Sequence, residues 1–303
     1  MMSTLPPVRI AIGQLTMQWT GDANTRAIVE TIARAAGDGA GICVFPELAV
    51  TGFHRQIAAM ARPALVAPWM ASIQAACARH SVAVSVGAPT FASDGRILNS
   101  QVFVDEHGQL AGVVEKRGLT APEATFFASG SARPVLALRG LRCSAVICRE
   151  VEDLDECCAE LEPHAPDLIF WPGLMGPDAE SAHVEPPVHV QQAQQLARRT
   201  GACVIQANWP NSLNYPDRSA KTGKSVVIDP TGAIVFALPQ AEAGIAVFTL
   251  GETSYAWSPV GNDTRERASA PAPIGPIRDS VPHPAGKTPL EPACASTSPI
   301  RRS

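Results

Sequence analysis

The chain has 303 residues, 46% of them hydrophobic, and a formal net charge of −4 with no block of like charge. That is enough apolar side chain to bury one large core or two small ones, and it leaves no basic stripe to track a phosphate backbone, so no nucleic-acid partner is expected. No apolar run reaches the ~18–20 residues that cross a bilayer, and MMSTLPPVRIAIGQL lacks the basic start and apolar run of an export signal; a cytoplasmic protein without membrane contact is expected.

In chain order, β-rich apolar runs alternate with helical patterns. Val8–Leu15 is a strand, and Asn24–Ala36 has apolar residues at helical spacing, with Asn24 as its N-cap. Gly37, Gly39 and Gly41 break that helix before a second strand, Ile42–Phe45. Ala64–His80 is helical and Val82–Ala88 a strand. Asn99–Val104 and Gln109–Lys116 form a hairpin around Asp105-Glu106-His107-Gly108. Strands follow at Val135–Leu138 and Arg142–Cys148, a helix at Asp153–Leu161, a strand at Leu168–Trp171 and a helix at His189–Thr200. Ala202–Asn208, Ser225–Asp229 and Ala233–Leu238 complete the strands. Hairpins mixed with crossovers imply sheets covered by helices, an α/β fold. Composition then shifts: residues 251–303 hold nine of the 27 prolines and little periodicity. The expected organisation is a domain over 1–250 and a Pro-rich tail over 251–303, flexible or packed on a partner subunit through Tyr255 and Trp257.

The eight cysteines show no C-x-x-C spacing, and several lie in apolar runs. They read as small buried residues or one reactive thiol rather than a disulfide framework. The seven histidines do not cluster with them, so no metal site is expected.

Three segments carry chemistry. In VFPELAVTGF an apolar strand ends at Pro46 and Glu47 follows at once; strand ends are where open sheets place their sites. In VVEKRGL a strand ends at Lys116, whose fixed positive charge suits a developing oxyanion, and Glu123 lies seven residues on. In SAVICRE a strand of small and β-branched residues ends at Cys148, beside Arg149 and ahead of a helix. A thiol at a helix N-terminus beside a cation has a depressed pKa, and the N–H groups of that turn can bind an oxyanion. Each segment alone also reads as a solvated loop, a surface charge cluster or a buried filler. Together they supply the base, oxyanion stabiliser and nucleophile of acyl transfer.

The order Glu, Lys, Cys in the contexts FPEL…TGF, EKRGL…E and AVICRE resembles the nitrilase-like carbon–nitrogen hydrolases, in their amidase type. Segments around Asn99, Asp167 and Asn208 and the stretch GKSVVIDPTGAIV also fall where that family carries similar ones, so the likeness spans roughly residues 8–250. It implies a four-layer α-β-β-α sandwich, paired as a homodimer or higher homo-oligomer, and cysteine-dependent hydrolysis of a small amide or N-carbamoyl compound, releasing ammonia, without a cofactor. Cys148 becomes the nucleophile, Glu47 the general base, Lys116 the oxyanion stabiliser with the Arg149 N–H as second donor, and Glu123 the residue orienting substrate or lysine. The chain departs from the pattern at Gly118, where the family often has His. It also has Arg149 where true nitrilases prefer Trp, which favours amides over nitriles.

Arg149 suits a substrate carboxylate, or pairs with Glu150, Glu152 or Asp153 at its own turn. Trp171, Met175 and Trp209, read as loop residues after strands, are candidates for a pocket wall or for plain packing. A soluble acyltransferase, a nitrile hydrolase and a catalytically silent binding protein are the alternative functions.

Overall fold

The computed structural model describes residues 8–176 and 185–260. Its first half runs β1 (Arg9–Gln14), α1 (Gly21–Gly37), β2 (Ile42–Val44), α2 (Ile57–Met60), α3 (Pro63–His80), β3 (Ala83–Phe91), β4 (Ile97–Val104) and β5 (Leu110–Glu115). Next come β6 (Leu136–Leu138), β7 (Leu141–Ala145), α4 (Leu154–Leu161), β8 (Leu168–Gly173), α5 (Val188–Thr200) and β9 (Cys203–Asn208). The hairpin strands β10 (Val226–Ile228) and β11 (Ile234–Ala237) follow, and β12 (Gly244–Thr249) and β13 (Tyr255–Pro259) close the described chain.

Two sheets form, in the orders β13-β12-β1-β2-β3-β4-β5 and β11-β10-β9-β8-β7-β6. Each has a parallel centre, β1-β2-β3 in one and β7-β8-β9 in the other, extended outward by antiparallel strands. Successive strand side chains point to opposite faces, and the sequence uses both. Ile10, Ile12, Ile42 and Val44 pack between the sheets with Leu168, Phe170 and Ile205. Ala11, Cys43 and Phe45 face the other way, onto Ile28 and Ile32 of α1 and Ile73 of α3. In the second sheet Ile169, Trp171 and Val204 turn outward onto Leu161 of α4 and Leu196 of α5. The fold is therefore a four-layer α-β-β-α sandwich. Each fully buried Ile, Leu or Phe contributes about 1.5–3 kcal/mol, and strands buried on both faces explain why the parallel runs read as continuously apolar.

Two local expectations are corrected, and one strand lies beyond the composition boundary. α1 begins at Gly21, and Thr20 caps it by accepting from the Ala23 N–H. Asn24 is instead buried inside the first turn, its side chain accepting from the Gln18 N–H at 2.9 Å and donating to the Gln18 carbonyl. β7 stops at Ala145, three residues short of Cys148, because the chain turns into a tight 3-10 segment over Cys148–Glu152. Residues 255–259, beyond the boundary that composition placed at 250, form β13 along β12, with Tyr255 and Trp257 packed on the core between the sheets of their own chain. A proline-rich window of 53 residues averages away a five-residue strand. The remainder of the expected tail lies outside the described residues.

Candidate active site

Glu47 sits three residues past β2, at the C-terminal edge of the parallel strands. The Phe45 N–H donates to Ser85 and the Val50 N–H to Gly87, so the segment is laced to β3 on both sides of the glutamate. Leu48 takes a left-handed backbone, φ 51°, to turn the chain there. Gly87 lets the two backbones touch: a Cβ on it would run into Leu48 N and Pro46 O and lie 2.7 Å from Glu47 C. The Trp209 indole N–H donates to the Glu47 carbonyl at 2.9 Å.

Lys116 follows β5, which runs in the same direction as β3 because two antiparallel steps separate them, so it emerges at the same edge. Its N–H donates to Asn99 O on β4, and its carbonyl accepts from Gly130. Cys148 lies beyond β7 with φ 55°, an uncommon conformation for a residue with a Cβ. Its carbonyl accepts from the Trp171 indole at 3.0 Å.

These segments converge on one buried cluster. Glu47 and Lys116 are 0% exposed, Glu123 5% and Cys148 9%. Lys116 Nζ donates to Glu47 Oε1 at 2.7 Å and to Glu123 Oε1 at 2.6 Å. Asn99 Nδ2 donates to the same two oxygens, at 2.8 and 3.4 Å. Glu123 Oε2 accepts from the Thr120 N–H. Glu47 Oε2 is buried with no partner among the described residues.

The charges follow from this packing. Burial raises the Glu47 pKa above the carboxylate range, with Glu123 adding to it, and the Lys116 charge and the bonds from Lys116 and Asn99 only partly offset that. Burial alone lowers the Lys116 pKa, but Glu47, Cys148 and Glu123 outweigh it and hold the ammonium. The Cys148 thiol is pushed up, first by burial and then by Glu47, against the opposing influence of Lys116 and the Leu174 N–H. The depressed thiol expected from a helix start beside a cation is thus reversed in direction: burial and Glu47 raise it.

A second buried hub supports the Cys148 turn. Glu150 Oε1 accepts from the Arg117 and Gly118 N–H groups, and Oε2 from the Ile147 N–H at 2.7 Å. Arg133 reaches both oxygens, at 3.0 and 3.1 Å, and also bonds the Ala145 carbonyl. One carboxylate therefore ties the Cys148 turn to the loop that follows Lys116.

Residues 9–258 match the model of the carbon-nitrogen hydrolase family. The chain belongs to that family. No curated protein sequence matches it. Among solved structures it is similar to an amidase from Nesterenkonia sp., at 24% identity and TM-score 0.68 over 80% of this chain and 90% of that one. A double mutant of the Nesterenkonia sp. AN1 amidase in complex with acrylamide matches at 23% and 0.69, over 82% and 93%. A glutamine-dependent NAD+ synthetase from Acinetobacter baumannii, in complex with ADP, matches at 20% and 0.67 over 84% of this chain and 48% of that one. Likeness at these identities establishes the common fold.

In this carbon–nitrogen hydrolase, Glu47, Lys116, Cys148 and Glu123 lie together, whereas Arg149 points elsewhere. Its guanidinium is held by Asp153 through two bonds of 2.8 and 3.0 Å, with Glu152 at 3.7 Å. Gly118 explains how that pair fits: a Cβ there would lie 2.5 Å from Asp153 Oδ2 and 3.1 Å from Arg149 Nη1. Gly118, where the resemblance leads one to expect a histidine, leaves room for the Arg149–Asp153 pair of the Cys148 turn. Trp171 belongs to β8 itself and Trp209 follows β9 directly; both are buried, and their indoles bond the carbonyls of Cys148 and Glu47. Glu150 and Arg133 were not legible as supports, because the partners are 17 residues apart and the remaining donors come from another loop.

Proposed function

We propose that this carbon–nitrogen hydrolase cleaves a small amide or N-carbamoyl compound through a thioester on Cys148, releasing ammonia. The observation that carries this reading is the asymmetry of Glu47: Oε1 is bound by Lys116 and Asn99, while Oε2 is buried and unpartnered among the described residues. A buried, raised carboxylate beside a buried, raised thiol is a matched base and acid. Glu47 takes the proton from Cys148 Sγ as sulfur attacks the carbonyl carbon. The oxygen gains charge facing Lys116 and the Arg149 N–H, the proton passes from Glu47 to the leaving nitrogen, and the C–N bond breaks. Water then enters, gives a proton to Glu47 and attacks the thioester; the acid departs and the thiol is restored.

Lys116 is suited to the oxyanion because two of its three N–H groups are committed to Glu47 and Glu123 and the third is left over. Glu123 serves by orienting Lys116. In one mutant of the Nesterenkonia amidase the acetamide moiety of fluoroacetamide is covalently added at the active-site cysteine, which supports the same role for Cys148. We also propose homo-oligomeric assembly, by family likeness.

Ammonia release across a panel of short amides, N-carbamoyl compounds and nitriles tests the reading. Release from an amide or carbamoyl compound, abolished by Cys148→Ala, is expected. Activity on nitriles alone, retention in Cys148→Ala, or product acyl-hydroxylamine outcompeting hydrolysis at low hydroxylamine would overturn it, the last in favour of an acyltransferase.

A further inference from the structure

Asn99 lies on β4, one strand in from β5, and is fully buried. Its Nδ2 and Lys116 Nζ bridge the same pair of oxygens, Glu47 Oε1 and Glu123 Oε1, so two donors and two acceptors close a ring. The amide orientation is set by these partners: turned over, it would aim Oδ1 at two carboxylates. Oδ1 itself is buried without a partner among the described residues, a desolvation cost that the fold accepts to keep Nδ2 where it is. The Asn99 carbonyl meanwhile accepts from the Lys116 N–H at 2.8 Å. One residue therefore fixes both the backbone of the lysine and the carboxylate of the base.

We infer that Asn99 is a positioning residue that selects which oxygen of Glu47 acts as the base. By occupying Oε1 together with Lys116, it leaves Oε2 as the single basic oxygen free to take the Cys148 proton. It does so without adding charge: a second cation in its place would lower the basicity of Glu47, and an apolar residue would leave Lys116 as the one donor shared by Glu47 Oε1 and Glu123 Oε1. The charged and titratable groups facing Glu47 are Lys116 beyond β5, Glu123 in the 3-10 turn Glu123–Thr125, and Cys148 in the nucleophile turn. The hydrogen bond from Asn99 lowers the Glu47 pKa against the burial that raises it. Its loss moves that pKa further up, and the fraction of ionised base at a given pH falls.

This inference rests on the proposed role of Glu47, and two readouts separate the claims. The first is the pH dependence of Cys148 alkylation by iodoacetamide, read by intact mass without any turnover. The second is kcat/KM against pH on the best amide found. Asn99→Leu keeps the shape and removes the donor; Asn99→Ser, smaller and still a donor, stands in if the leucine variant does not fold. In Asn99→Leu both acid limbs are expected to shift upward by about 1–2 pH units, the size of a hydrogen bond to a charged group. At neutral pH kcat is expected to drop at least tenfold with KM within about threefold. Asn99→Ser shifts the same way by less. If wild type turns over amides but neither limb moves in folded variants, Asn99 has no such role and the function stands. If no amide is turned over but the alkylation limb still shifts, the positioning role stands and the proposed function falls.

Discussion

Lys116 Nζ lies 2.7 Å from Glu47 Oε1, while the other oxygen of that buried carboxylate has no partner among the described residues. Because burial raises the Glu47 pKa, this carboxylate, the proposed base, ionises above the ordinary glutamate value. Activity is expected to be lost as pH falls through that raised value, and kcat/KM against pH measures it. Glu47→Gln is expected to remove the limb and at least 10³-fold of activity, since the thiol then has no acceptor.

Glu150 and Arg133 form a buried pair in which every carboxylate oxygen is multiply bonded. Glu150→Gln leaves Arg133 charged and underpaired, and is expected to cost about 3–5 kcal/mol in urea unfolding. The Glu150 pKa is lowered; burial opposes this, and Arg133 and the backbone donors overcome it. Its stabilisation is therefore full above the pKa of an unfolded glutamate and disappears as pH falls through the depressed folded value. The variant should lose that acid dependence between those two pKa values.

Gly87→Ala is expected to displace the Glu47 segment, because the added methyl meets backbone atoms of Pro46, Glu47 and Leu48. A loss of at least 1–3 kcal/mol in stability should accompany a fall in kcat of an order of magnitude or more. Gly95→Ala makes a control: it has positive φ but open space, so it should cost about 1 kcal/mol and leave kcat unchanged.

Arg149→Ala breaks a pair with Asp153 in which the arginine side chain is 28% exposed. The expected cost is at most about 1 kcal/mol, given that exposure, with little change on uncharged amides. A selective loss on carboxylate-bearing amides, measured as KM, would show that the guanidinium leaves Asp153 for substrate.

Strand ends made the site legible: Glu47, Lys116 and Cys148 each follow an apolar run, and the sheets bring those ends to one place. The alternation of apolar strand runs with helical patterns made the α/β class legible too. Tertiary electrostatics were not. The cue at Cys148 is local, a turn and a neighbouring arginine, whereas burial and Glu47, far off in sequence, decide the thiol's pKa. Asn99 looks like any strand asparagine until Glu47 and Glu123 converge on its amide. Thr20 is hard to read as a cap because Gly21-Asp22 looks like a turn in sequence, yet Asp22 suits a first helical turn.

The most direct test is intact mass of the enzyme, quenched by acid during turnover of a short amide. A transient gain equal to the amide minus ammonia is expected, mapping to the Cys148 peptide and absent from Cys148→Ala, which also stops releasing ammonia. Continued ammonia release by Cys148→Ala, or an acyl group on another residue, would contradict a thioester at Cys148.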